Sequence, residues 1–299
     1  MCNGPLCESS VSKLERARVP SNSGDRPMKL SLSVRIAEAE CKTKLNVSLA
    51  EIIRLATENG YQAVCMRASA GGVQTPPDEL RQMRQEIEEA GLVVSMVTAD
   101  FDVPLNNNKG PNSLTDIAAS LEVAELLGCD LIRVCLKADS DIERARDAAD
   151  RAAERGIRLA HQCHTTSLFE QVDPSLEVLV EIDRANFGLI YEPANLMLCG
   201  EPYGVETLRR LQPFLMNVYV QNHRLDPDGP VELETWCRGA VRFHHIPLWE
   251  PGGVDFSRVS AALEEIGYTG YVTVHQHYAH LMGPEEAAVK TAHYLRGLF

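Results

Sequence analysis

The chain has 299 residues, 44% of them hydrophobic and 24% charged, with a formal net charge of −13. This is ordinary globular composition, long enough for one barrel-sized domain or two average ones and able to bury a core without disulfide or metal staples. The acidic balance argues against a nucleic-acid partner, which needs a basic face, and no apolar run is long enough to span a bilayer, so neither partner is expected.

The nine cysteines are scattered, form no CxxC pair and mostly sit inside apolar runs. That usage reads as a reducing cytoplasm rather than a disulfide framework. Residues 1–27 are rich in Ser, Arg, Pro and Asn and lack the apolar centre of a secretory signal. They are expected as a disordered tail before a single domain over 28–299.

The first expected strand is KLSLSVRI, 29–36, followed by a helix at 48–59 and a strand at 62–66. The second helix starts after Pro76 and Pro77, and the third strand spans 92–97. A polar loop, NNNKGPN (106–112), leads to a helix with Ser113 as its expected N-cap. Then come a strand at 131–136, a helix at 140–155 and the strand LAHQCH, 159–164. A helix at 168–184, a strand at 187–191, a helix at 203–211 and a strand at 216–221 follow. The chain closes with a helix at 256–266, a strand at 271–275 and a helix at 284–297.

In this series a helical run repeatedly ends at a glycine just before an apolar strand, at Gly60, Gly91, Gly128, Gly156 and Gly267. Glycine is expected just past a helix because that position is often left-handed. Eight strands alternating with eight helices predict an α/β fold, a closed (β/α)8 TIM barrel. An open doubly wound sheet would carry a Gly-rich loop after an early strand. The loop after the first strand, AEAECKTKLN, has no glycine, and Gly71–Gly72 after the second is a weak signal.

Barrel active sites lie at the C-terminal strand ends. The first four ends read as small or apolar and the last four as polar, so the chemistry is expected on the second half. Strand alternation puts Gln162 and His164 on one face of the fifth strand. Glu192 follows the sixth, with Asn195 three residues on. Tyr219, Gln221 and His223 share a face on the seventh, and Thr273, His275 and His277 share one on the eighth. Singly, each has an ordinary structural reading: a hydrogen-bonded His, an amide satisfying backbone, a core Tyr. Glu192 is harder to explain so, because a carboxylate after an apolar strand is costly to bury unpaired. His161 has the opposite parity and should face the helices, while His244 and His245 lie in an insert and are expected at the surface.

From Met28 onward the chain resembles the xylose isomerase-like TIM barrels, a family of sugar isomerases, 3-epimerases, inosose dehydratases and apurinic endonucleases. The matching segments are LAHQCHTTSL, YEPANL, VYVQNHR, HIPLWEPGGVDFSRV (245–259) and EEIGYTGYVTVHQH (264–277). The resemblance implies a divalent metal held by Glu, Asp, His and Glu from the last four strands. Carried over, those positions are Gln162, Glu192, Tyr219 and His275, so only the second keeps an acid. A two-carboxylate proton shuttle therefore cannot run unchanged, since Gln cannot titrate, whereas His can.

The expectation is an isomerase- or epimerase-like enzyme, or related lyase, on a small sugar, keto-sugar or polyol. His275, Glu192 and His164 are its expected catalytic groups. Asn195, Gln221, His223, Arg224 and His277 are expected to bind substrate; Arg224 matches a 3-epimerase arginine, and Asn195 stands where that branch has a His. Gln162, Glu192 and His275 are the expected ligand set should Mn, Zn or Fe bind. The alternatives are a metal-free enzyme using the same imidazoles and a non-catalytic barrel that binds a sugar or a partner. An apurinic endonuclease is disfavoured by CMRAS and MVTAD, which lack that branch's extra ligands. Relatives often assemble, so a homo-oligomer is a further expectation.

Overall fold

The computed structural model describes residues 28–99 and 108–299. The expected tail over 1–27 and the start of the NNNKGPN loop lie outside the described residues. The strands are β1 (Lys29–Ser33), β2 (Ala63–Met66), β3 (Val93–Thr98), β4 (Leu131–Val134), β5 (Arg158–Gln162), β6 (Phe187–Tyr191), β7 (Leu215–Val220), β8 (His223–Leu225), β9 (Val231–Thr235), β10 (Gly239–His245) and β11 (Tyr271–Val274). β1 to β7 and β11 form a closed barrel, in the order β1-β11-β7-β6-β5-β4-β3-β2. Its pairings are parallel, with β1 closing against both β11 and β2. The (β/α)8 barrel is therefore observed.

The helices are α1 (Leu49–Glu58), α2 (Pro77–Glu89), α3 (Asn112–Thr115), α4 (Ile117–Leu126), α5 (Ser140–Ala153), α6 (Val172–Ile182), α7 (Pro193–Leu198), α8 (Val205–Leu211), α9 (Phe256–Glu265) and α10 (Pro284–Arg296). Local chemistry sets their ends. Ser48 Oγ accepts the Glu51 N–H at 3.2 Å to start α1. Gly60, Gly91, Gly128, Gly156 and Gly267 all have φ between +67° and +76°, the left-handed exit their position predicts. Ser113 is not an N-cap: it lies inside α3, where its own N–H already bonds the Gly110 carbonyl in a tight turn at 3.1 Å.

Two cores follow from strand alternation. Outward residues such as Leu32, Val64, Ile132, Leu159 and Val272 pack under the helices. Inward residues Cys65, Met96, Leu131, Ala160, Ile190 and Tyr219 form a separate cluster within the barrel. Polar groups inside pair with one another, Ser31 Oγ with Ser95 Oγ at 2.7 Å and Thr273 Oγ1 donating to Asn217 Oδ1 at 3.0 Å.

The expected alternation missed one feature. Between β7 and α9 a small antiparallel sheet forms, in the order β8-β10-β9. Its period-two pattern was present in VELET, where Val231 and Leu233 are half-buried and Glu232 and Glu234 exposed. Its apolar face packs on Leu198 of α7 through Val231, Leu233, Val241 and Phe243. That seats the insert over the C-terminal end of the barrel.

Candidate active site

The ends of β5, β6 and β7 converge on one carboxyl. Glu192, 0% exposed, stands between β6 and α7. Its Oε2 accepts from Gln162 Nε2 and, at 2.7 Å, from Asn195 Nδ2, and its Oε1 accepts from Gln221 Nε2. Asn195 Nδ2 also donates to the Cys163 carbonyl at 2.9 Å, which ties α7 to the end of β5. Burial pushes the Glu192 carboxyl up to about 7, against the opposing pull of the Gln162 hydrogen bond and of Arg133 and Arg35. Because a carboxylate only accepts, Gln162 must turn its N–H toward Glu192. Its Oε1 is left buried with no partner among the described residues.

His275, at the end of β11, lies flat on Tyr219, with ring centroids 3.8 Å apart and planes 6° from parallel. Burial, then the charges of Arg35, Arg67 and Arg133, hold its pKa well below the usual imidazole value, so it is neutral at pH 7. Its Nδ1 is also buried without a partner among the described residues. His164 Nδ1 donates to the Thr165 carbonyl at 2.9 Å, which leaves Nε2 with its lone pair. Burial, followed by Arg133, pushes His164 down to about 3. His223 and His245 meet Nδ1 to Nδ1 at 3.2 Å.

Gln162, His164, Asn195, Gln221, His223 and His275 line one cavity of about 560 Å³, with β9 as its outer wall. Glu192 is not among its lining residues; it sits behind the amides and fixes their orientation. Arg224 faces away, on the opposite side of β8 from His223, and pairs with Glu250 at 2.9 Å. His277, expected to bind substrate, is not among the cavity-lining residues and donates from Nε2 to the Glu38 carbonyl at 2.8 Å. His161 turns from the cavity and stacks on Phe169 at 4.3 Å. His245, expected at the surface, instead lines the cavity because β10 pairs it with His223. His244, one residue away on the other face, binds Asp226 at 2.9 Å.

The expectation that the first half of the barrel is chemically bare is corrected. Arg35, Lys42 and Arg133 line the same cavity, and Arg67 lies buried beneath. Alternation could have placed Arg133, which shares a face with Leu131 in β4, but the first strand, expected over 29–36, ends at Ser33, so that Arg35 lies in a single helical turn over Val34–Ala37, and Arg67 stands one residue past β2. Arg67 Nε donates to Glu38 Oε1 at 2.6 Å, with both side chains 1% exposed, and Ser69 Oγ donates to the same oxygen at 2.6 Å. Burial alone would raise the Glu38 carboxyl, but Arg67, Arg35 and these hydrogen bonds hold it below its usual value.

Lys42 and Thr166 both line the cavity and both take left-handed backbone, with φ of 57° and 51°. Such strain in a side-chain-bearing residue, above all a β-branched one, concentrates at functional sites. Glu170 holds the Thr166 turn. Its carboxylate accepts the backbone N–H of Thr166 at 2.8 Å, of Trp236 at 2.9 Å and of Cys237 at 2.8 Å, stapling the loop after β5 to the β9–β10 turn.

The four positions where the resemblance implies a metal do not fit a divalent ion. Gln162 directs N–H toward the centre of the set, and both Glu192 oxygens are engaged by amides. Tyr219 meets Cys65 Sγ through its hydroxyl at 3.6 Å, and the charges of Arg35 and Arg133 would repel a cation. Among the described residues, the group of acidic, His or Cys ligand atoms lying within 4.8 Å of one another is Glu170, Cys199 and Cys237, outside this set. No helix of the described residues is long and apolar enough to cross a membrane.

The family described as xylose isomerase-like TIM barrel matches residues 53–298. An inosose dehydratase of Geobacillus thermodenitrificans (strain NG80-2) is 24% identical over 149 residues, 49% of this chain and 50% of the relative, so the match spans about half of that protein. The probable 3-DHS dehydratase of petrobactin synthesis from Bacillus anthracis superposes with a TM-score of 0.69 at 15% identity, over 90% of this chain and 99% of that one. A xylose isomerase-like TIM barrel protein from Mycobacterium smegmatis, solved in complex with magnesium, superposes with a TM-score of 0.66 at 16% identity, over 91% and 96%. At these identities the superpositions show a shared fold, and the family match extends over most of the barrel. The chain belongs to the xylose isomerase-like TIM barrel family.

Proposed function

We propose that the chain is a sugar-modifying enzyme that moves protons on a small polyhydroxylated carbonyl compound, by isomerisation, epimerisation or loss of water, using imidazoles in place of a metal. The observation that carries this reading is the pair of neutral imidazoles, His164 and His275, on the wall of one cavity. Relatives named as dehydratases support it from the side of the family.

The step begins at His164 Nε2, which takes a proton from the carbon beside the substrate carbonyl. The C–H electron pair moves into the carbon skeleton, and the carbonyl oxygen becomes an enediolate oxygen. Arg133 supplies the positive charge that favours this oxygen. The proton now on His164 passes to the neighbouring carbon in an isomerisation or to a departing hydroxyl in a dehydration, and in an epimerisation the same carbon takes a solvent proton on its opposite face while His164 releases its own to solvent; neutral His275 holds a substrate hydroxyl by a hydrogen bond. Gln162 Oε1 accepts from a substrate hydroxyl. Glu192 acts as a positioning residue, since its carboxylate decides which atom of each amide points into the cavity.

The test is deuterium incorporation from solvent into a panel of keto-sugars and inososes, followed by NMR in the presence of EDTA. The wild type should label at least one compound, and His164→Gln or His275→Gln should slow labelling by about 10²-fold or more. Labelling abolished by EDTA and restored by Mn, Zn or Fe would replace this reading with the metal-assisted one. Ligands that bind without labelling would identify a binding barrel, a reading supported by the seclusion of Glu192 behind its amides.

A further inference from the structure

Glu170, Cys199 and Cys237 are distant in the chain and meet beside the cavity, though none of them lines it. Glu170 stands in the loop after β5, Cys199 caps the C-terminus of α7, and Cys237 sits in the turn between β9 and β10. A carboxylate oxygen and the two sulfurs lie within 4.8 Å of one another. Glu170 and Cys199 are each 4% exposed, and Cys237 is half-buried. The Cys237 thiol donates to the Cys199 carbonyl at 3.6 Å, which holds the turn against the end of α7. No CxxC spacing announces this group, because its members come from three separate segments.

The carboxylate is held in place with one position open. A carboxylate offers about four lone-pair positions. Glu170 Oε1 accepts from the N–H groups of Thr166 at 2.8 Å and Trp236 at 2.9 Å, which fills that oxygen. Oε2 accepts from the Cys237 N–H at 2.8 Å and keeps a second lone pair. Glu170 makes no ion pair among the described residues, so a cation at Oε2 displaces no existing partner. Tetrahedral Zn²⁺ holds sulfur at about 2.3 Å, which sets two sulfur ligands about 3.8 Å apart. Atoms within 4.8 Å of one another reach that arrangement by shifts of about 1 Å or less. A disulfide is the other bond two such sulfurs could make. Burial, then the Glu170 carboxylate, pushes both thiols up, so neither is the thiolate that disulfide exchange requires. A coordinating cation removes the thiol proton outright and turns the same carboxylate into a third ligand.

We propose that Glu170, Cys199 and Cys237 form a site for a thiophilic divalent cation, Zn²⁺, which clips the β8-β10-β9 insert to the barrel. Two thiolates select Zn²⁺ over Mg²⁺, Mn²⁺ or Ca²⁺, whose preferred ligands are oxygens. Water takes the fourth tetrahedral position, and the turn at Trp236, 55% exposed, gives the ion its way in. The site is separate from the four positions where the family resemblance implies a metal, and it does not rest on the proposed reaction. Its effect on the cavity is mechanical. β9 is the cavity's outer wall, and Thr166, which also lines it, is held by the same carboxylate, so the ion braces both from behind.

The experiment uses the full chain, reduced, stripped with a chelator and desalted, with Co²⁺ and Zn²⁺ as the probes. Co²⁺ should bind in equal proportion to the chain, with the visible bands of a tetrahedral site and the near-ultraviolet absorption of thiolate ligation, and Zn²⁺ should displace it. Cys199→Ser and Cys237→Ser should each weaken the ion by about 100-fold or more and reduce the thiolate absorption, while Cys41→Ser, at an exposed cysteine, leaves both unchanged. Zn²⁺ should slow hydrogen exchange over 229–245 in the wild type and not in the double serine variant. X-ray absorption of the wild-type Zn²⁺ complex decides the point even where a serine variant fails to fold: two sulfur neighbours at about 2.3 Å beside oxygen support the site. A shell of nitrogen and oxygen alone, neither ion bound up to millimolar concentrations, or thiolate absorption that survives in both serine variants would each overturn it. So would a Cys199–Cys237 disulfide that forms in air as fast with Zn²⁺ present as without it.

Discussion

Replacing Glu192 with glutamine tests the electrostatics of the site. Glu192 is 0% exposed and its carboxyl is pushed up to about 7, so in the folded state it holds a proton that the unfolded chain, with an ordinary carboxyl, has already released. A raised folded-state pKa gives stability that is full below the unfolded value and is lost as pH rises through the folded one. Between pH 5 and pH 8 this group alone should remove about 2–3 kcal/mol from wild-type stability, taking ~1.4 kcal/mol per unit of displaced pKa. Glu192→Gln cannot ionise and loses that dependence, although it also loses one acceptor for the amides of Gln162, Gln221 and Asn195. The variant should therefore be clearly weaker than wild type at pH 5 and close the gap by about 2–3 kcal/mol at pH 8. Urea unfolding at the two pH values, followed by circular dichroism, measures the difference. An identical penalty at both would show that Glu192 is ionised throughout, and that the Arg35 and Arg133 field outweighs its burial.

Two other perturbations probe the frame around the site. His161 is buried against Phe169 and pushed down to about 3, so its stabilising contribution is present above the unfolded imidazole range and is lost as pH falls through the interval below it. His161→Phe keeps the stack and should move the acid-unfolding midpoint to lower pH, a gain of up to about 4 kcal/mol in acid; an unmoved midpoint would place the acid-sensitive group elsewhere. Glu170→Ala leaves the N–H groups of Thr166, Trp236 and Cys237 without their acceptor, a local cost of about 2–4 kcal/mol. Hydrogen exchange over 229–245 should quicken while the barrel strands stay protected; exchange unchanged in the insert would mean that its packing on Leu198 holds it unaided.

The alternation of apolar strands with glycine-terminated helices made the barrel legible residue by residue, because each glycine marks a left-handed exit and each buried parallel strand must be apolar on both faces. The same period-two count brought Gln162, Gln221 and His275 to one end of the barrel. It applied equally to Arg133, but one charged residue in a short apolar strand reads as a strand boundary; Arg35 and Arg67 lie just past strands that end at Ser33 and Met66, where a period-two count no longer runs. The β8-β10-β9 insert was missed because its strands are short and half exposed, so their pattern is faint.

The sequence by itself determined which residues point inward, since side-chain direction in a strand is a local property set by backbone geometry. It could also show that the metal positions had changed, because the loss of carboxylates at Gln162 and His275 is a matter of residue identity. Tertiary structure alone decided what those residues face. Glu192 is sealed behind three amides, Arg224 turns outward to Glu250, and His245 is carried inward by pairing with His223. Charge balance, burial and hydrogen-bond partnership depend on distances between strands far apart in the chain. The meeting of Arg35 and Arg133 with the amides on one cavity wall therefore became visible only when the barrel closed.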